Sequence, residues 1–200
     1  MAYPAVSAPY GLKPINLIGG QVFAGATRKL PIQYGYATDI FYGDIVALNT
    51  SGNLVKVTTT DAATNAIGVF LGCSYTNPAT QQPLFYQCYN GPVTASDIKA
   101  FVQDDPDQLY KVAVVSSGTT ISGVTRAAVG QNAALAQNSG STTTGDSKVA
   151  VLAATGTATT LPLRVIDVIP ETVNASGSYT EVIVKFNFGV HTYTTGVAVA

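Results

Sequence analysis

Glycine, proline and asparagine cut this chain into short apolar runs, and that punctuation points to a β-sandwich or barrel. Asp44–Leu48 and Leu54–Thr58 are two such runs, joined by Asn49-Thr50-Ser51-Gly52-Asn53, a hairpin signal with a glycine free to take positive φ. Arg28–Tyr34 alternates loosely before them. Ala66–Tyr75 and Leu84–Tyr89 follow, with Thr76-Asn77-Pro78 and Asn90-Gly91-Pro92 as breaks. Ile98–Gln103 and Leu109–Val115 flank a turn at Asp104-Asp105-Pro106-Asp107. Lys148–Leu152, Leu161–Ile169 and Tyr179–Phe188 are the later runs, and Val165, Val168, Val182 and Val184 suit a pleated surface. Gly189–Ala200, rich in Thr and Val, is expected as a final strand. One short helix is expected over the Ala-rich Thr125–Leu135, interrupted by Gly130. Gln137–Ser147 is expected as a polar loop.

Residues 1–20 differ from the rest. Pro4, Pro9 and Pro14 recur every five residues, which blocks a helix and favours extended backbone. Between and after them stand Tyr3, Val6, Tyr10, Leu12, Ile15, Leu17 and Ile18, more apolar than a solvated tail. Such a segment lies along a surface, either the chain's own body or another subunit. The second is the expectation carried forward, with Tyr3, Pro4, Pro9, Tyr10, Leu12, Pro14, Ile15, Leu17 and Ile18 as docking residues and Gly19-Gly20 as the joint. The expected organisation is an arm over 1–20, a β module over 21–92, and a second module or a continuation of the same barrel over 93–200.

Composition narrows the function. Charged residues make up 10% of the 200, against roughly 25% in an average soluble domain, and hydrophobic residues 46%. The surface is therefore built from Thr, Ser, Asn, Gln and Gly, which suits a protein packed against neighbours. The formal net charge is −1, and the ten basic residues form no run, which argues against nucleic acid as a partner. The longest apolar stretch, Ala66 to Cys73, is far short of the roughly 20 residues that span a bilayer, so no membrane partner is expected. The first residues show no secretory signal. Cys73 and Cys88 read as two buried thiols, with a cross-strand disulfide as the lesser alternative.

No catalytic or cofactor set is assembled by the sequence. The single histidine, His191, has no nucleophile elbow to serve, and reads as a half-exposed strand residue. Two cysteines and one distant histidine do not make a zinc site. Asp104, Asp105 and Asp107 lack the ligand spacing of a calcium loop and read as a solvated turn. Gly140–Ser147 approaches a phosphate-binding loop, but Asp146 stands where a lysine is needed and would repel phosphate. Asn49 and Asn174 begin glycosylation-type triplets, a pattern frequent by chance in such a chain. Tyr34, Tyr36, Phe41 and Tyr42 cluster in one stretch and could stack on sugars, although strand tyrosines more often serve cores and interfaces. The expectation is a non-enzyme without metal or organic cofactor.

Three stretches together resemble the decoration, or cement, proteins of tailed-bacteriophage capsids. They are Ala8–Ile15 running into Gly25–Arg28; Gly43–Leu48 with Gly52–Lys56 and Ala66–Gly72; and Val129–Ala133 with Ser141–Gly145 and Leu161–Val165. The middle stretch is similar to the β-tulip core of lambda-like decoration proteins, which are shorter, so the region after about residue 93 would be an addition. The resemblance implies an all-β body, a β-barrel or β-tulip with at most one or two short helices, and an extended N-terminal arm. It also implies a homotrimer on the outside of a major capsid protein lattice, made in the host cytoplasm and resident on the virion, with no catalytic residues. The alternative is a carbohydrate- or receptor-binding β module of a virion or cell surface.

Overall fold

A computed structural model describes residues 6–59 and 66–187. The fold is all-β: the described residues contain a closed five-stranded barrel and a second sheet, and no helix reaches seven residues. Among the described residues thirteen strands run in chain order. They are β1 (Lys13–Leu17), β2 (Arg28–Pro31), β3 (Ile45–Leu48), β4 (Leu54–Lys56), β5 (Ala66–Thr76), β6 (Pro83–Tyr86), β7 (Lys99–Gln103), β8 (Gln108–Ser117), β9 (Thr120–Ile121), β10 (Asn132–Ala136), β11 (Ala150–Gly156), β12 (Leu163–Val168) and β13 (Glu181–Phe186).

The barrel is built on β8. Its order is β8-β11-β10-β12-β13, and β13 pairs back onto β8 to close the ring. The β8–β11 contact is parallel, with Val151 opposite Val114; the other pairings are antiparallel. Alternation explains the choice of residues: Tyr110, Val112 and Val114 enter one large core with Val182, Val184, Phe186, Leu163 and Val165. Val115, one step out of phase, falls in a separate small cluster with Ala136 and Ala150. The Phe186 ring meets the Tyr110 ring edge-on at 5.4 Å between centroids.

The second sheet has the order β2-β7-β5-β3-β4, with β6 on the far half of β5. Its ends curl together until Ile32 forms a parallel bridge with Leu54. Its inner strands, β3 and the first part of β5, are buried on both faces. Ile45, Ala47 and Val69 join the core of the barrel, while Val46, Ile67, Phe70, Ala100 and Val102 pack inside the curl with Ile32, Ile40 and Tyr89. That two-sided burial is why Ala66–Cys73 reads as a continuous apolar run.

Three expectations need correction. Thr125–Leu135 is not a helix: only Arg126–Ala128 form a 3-10 turn, and Asn132–Ala136 are strand β10. Gly130 takes a φ of +85°, and its N–H donates to the Val165 carbonyl, so pairing with β12 overrides the helical preference of alanine. The sheets divide not at residues 92/93 but at the Asp104–Asp107 turn, because β7 completes the second sheet and β8 begins the barrel. The described part of the expected N-terminal arm is not free: β1 pairs with β8, Lys13 opposite Lys111 and Leu17 opposite Gln108. The expected final strand over Gly189–Ala200, with His191, lies outside the described residues.

The bodies meet at a turn, Phe41–Asp44. The Asp44 side chain is fully buried. Its Oδ2 lies 2.7 Å from Lys56 Nζ and accepts the Phe41 N–H at 2.8 Å; its Oδ1 accepts the Ser147 hydroxyl at 2.6 Å. Thus β4, the turn and the loop before β11 share one carboxylate. Removing one partner of a buried ion pair leaves the other charge without compensation. Asp44→Ala should therefore cost about 3–5 kcal/mol in unfolding free energy. Asp44→Ala combined with Lys56→Met should cost less than the two single changes summed. Denaturant titration of the four proteins checks both statements.

Candidate functional site

The expected docking residues separate into four groups. Tyr3 and Pro4 lie outside the described residues. Pro9 and Leu12 are buried, and Leu12, with no exposed surface, sits in the main core. Tyr10, Pro14, Ile15 and Leu17 are half-buried against the chain's own body, and only Ile18 is exposed, at 50%. Tyr10 is tied further: its hydroxyl donates to Glu181, which is buried and also pairs with Lys111 Nζ at 3.0 Å. Burial, and then the hydrogen bond and charge of Glu181, hold the Tyr10 hydroxyl well above the usual phenol range. Gly11, at φ +80°, lets the chain pass between Ser147 and the Gly43 carbonyl, where a Cβ would stand 2.7 and 2.8 Å away. The segment from Pro9 to Leu17 is thus part of the fold, and Leu12 cannot reach a neighbour.

The aromatic cluster also divides. Phe41 is buried beneath Lys56, whose ammonium lies 5.2 Å from the ring centre. Tyr36 packs beside Tyr89 and its hydroxyl accepts the Lys56 N–H. Tyr34 is exposed, and Tyr42 lines a groove. The four side chains therefore form no common sugar-binding face.

That groove is a candidate site. It measures about 480 Å³, inside the roughly 300–1,000 Å³ range of small-ligand clefts. Pairing places its walls: Phe85 stands opposite Ser74 on β5, and Phe101 opposite Gly72, so both rings project from one face. Gly72 keeps the floor low. Its φ is +140°, and a Cβ there would come within 2.9 Å of the Tyr86 carbonyl oxygen. Tyr42, Lys13 and Asp146 complete the lining from the turn, from β1 and from the loop before β11. Lys13 Nζ lies 5.1 Å from the Tyr10 ring centre and 5.9 Å from that of Tyr42. Gln87 Nε2 donates to Asp146 Oδ1 at 3.0 Å. Burial and the Asp146 charge raise the Tyr42 hydroxyl above its usual range, so it stays a neutral donor.

Sequence reading missed Phe85, Phe101 and Lys13 as members of one site. Only the register of three strands brings them together. Asp146, which would repel phosphate, lines the groove with its carboxylate beside Gln87. Among the described residues no group of three His, Cys, Asp or Glu side chains is placed to hold a metal ion. No helix among them is long and apolar enough to cross a membrane. Cys73 and Cys88 are unbonded thiols; the Cys73 Sγ lies 3.6 Å from the Cys88 carbonyl oxygen and donates to it. Compared with family models, curated proteins and solved structures, the chain shows no match.

Two outcomes follow from this placement. Leu12→Ala should destabilise the isolated protein by about 2–5 kcal/mol, as expected for a core leucine and not for a solvent-facing anchor; a denaturant midpoint checks it. Burial, and then the neighbouring Cys88, push the Cys73 thiol from 9.0 up to about 12. The folded chain thus holds this proton more tightly than the unfolded chain. That stabilisation is complete below about pH 9 and is lost as the pH rises toward about 12. The stability difference between the parent and Cys73→Ala should shrink over that window, measured by urea titration at each pH.

Proposed function

We propose that this chain is a structural, non-catalytic subunit that binds the outer surface of a tailed-phage capsid lattice and stabilises the head, acting as a homotrimer. The observation that carries this reading is the exposure of large apolar side chains on a charge-poor, all-β body. Ile18, Val22, Tyr34, Phe85 and Tyr86 are 47–76% exposed in a chain with 10% charged residues. Such groups gain from being covered, and little charge repulsion opposes close packing with a neighbour. The resemblance of the sequence to cement proteins supplies the lattice as the partner.

The docking surface differs from a free arm. Leu12 and β1 serve the fold, so contact falls to Ile18 and Val22, on the two sides of the turn after β1. An antiparallel bridge between Asn16 and Val22 and the Leu17–Gln21 hydrogen bond hold that turn. A turn tied by these bonds loses less conformational entropy on binding than eighteen loose residues would.

The test uses heads that lack this chain, from the virus that carries its gene. Full-length protein should bind them at repeated positions and raise their resistance to heat. Ile18→Ser with Val22→Ser should lower occupancy at least about tenfold, or roughly 1.4 kcal/mol, with an unchanged denaturant midpoint. Failure of the parent protein to bind such heads, or equal occupancy by the double variant, would overturn the proposal.

A further inference from the structure

We infer that the groove between β6, β7 and the Phe41–Asp44 turn binds a neutral carbohydrate chain, a role that stands whether or not the protein decorates a capsid. The argument begins with the walls. Phe85 is 73% exposed on a strand, and Phe101 and Tyr42 line the same cleft. Pyranose rings present a face of C–H groups that packs on such rings, and hydroxyls around the rim that need fixed polar partners. The groove supplies those partners at its edge. Lys13 Nζ has no carboxylate partner among the described residues and offers N–H donors. Asp146 gives one oxygen to Gln87, and its Oδ2 takes no donor from a described residue. Gly72 leaves bare backbone between the rings, so a flat ring can lie close to the sheet.

Charge and edge geometry decide between classes of ligand. One lysine faces one aspartate, so the lining carries no net charge and favours a neutral partner. Nucleobases also stack on aromatic rings, but their phosphates need a basic track, and Asp146 opposes one. An extended peptide would add to the free edge of β6. That edge is only four residues long and begins with Pro83, which has no N–H to donate. A hydroxylated ring needs no such ladder.

The experiment is a heteronuclear NMR titration of the full-length protein with cellopentaose, maltopentaose, xylopentaose and chitopentaose in turn, to millimolar concentration. At least one should shift the amide resonances of Gly72, Phe85, Gln87, Phe101 and Asp146 together. Phe85→Ala should weaken that binding at least about tenfold. Its thermal midpoint should stay unchanged, since the ring is mostly solvated. Asp146→Asn should weaken it without changing which sugar is preferred. No shift with any of the four sugars overturns the inference. So does equal binding by Phe85→Ala, or a response in this groove to a thymidine oligonucleotide or an unstructured hexapeptide that exceeds the response to sugar.

Discussion

The buried Asp44 carboxylate is the point on which the two halves of this molecule are joined. Lys56 neutralises it, the Phe41 N–H and the Ser147 hydroxyl satisfy its remaining lone pairs, and Phe41 covers the ammonium. Backbone hydrogen bonds reinforce the same place: Leu12 N–H reaches the Gly43 carbonyl, Gly43 N–H the Phe70 carbonyl, and Ser147 N–H the Tyr42 carbonyl. Strand β1, strand β5 and the loop before β11 are thus anchored within four residues. A buried charge that lost these partners would cost more than the fold could easily bear. The ion pair lies within the second sheet, and the Ser147 hydroxyl bond to Asp44, with the backbone bonds at Tyr42 and Gly43, ties that sheet to the barrel.

The same junction creates the groove. Tyr42 belongs to the turn, Asp146 is one residue before Ser147, and Lys13 is one residue after Leu12. Each is held by its neighbour's part in the junction. Phe85, Phe101 and Gly72 come from the second sheet, whose position is set by that junction. Backbone held in place by the junction loses little freedom when a ligand arrives. The N-terminal segment shows the converse. Its apolar residues suggested adhesion, yet Leu12 fills the core and Tyr10 satisfies Glu181, which would otherwise be buried with only Lys111 as a partner.

The all-β class was legible in the chain because strand signals are local. Val, Ile and aromatic runs bounded by Gly, Pro and Asn need no knowledge of partners, and the Asn49–Asn53 hairpin and the Asp104–Asp107 turn fall where the sequence puts them. Strand ends moved by one to a few residues. The helix expected at Thr125–Leu135 failed because alanine favours a helix only when nothing else claims its backbone; here β11 and β12 do. Strand β1 was hidden by Pro14, which forbids a central strand but not an edge strand.

By itself, then, the sequence determined the β class, the poverty of charge and the turn positions, since each depends on residues close together along the chain. Only the tertiary structure decided which strands are neighbours, where the sheets divide, that Leu12 is core and that Phe85, Phe101, Lys13 and Asp146 share a groove. Those relations join residues far apart in the chain, such as Leu12 and Phe186 in one core, and no local preference encodes them. They follow from burying both faces of β3 and of the first part of β5 while leaving Asp44 fully paired. That condition is met by the folded chain as a whole and by no segment of it.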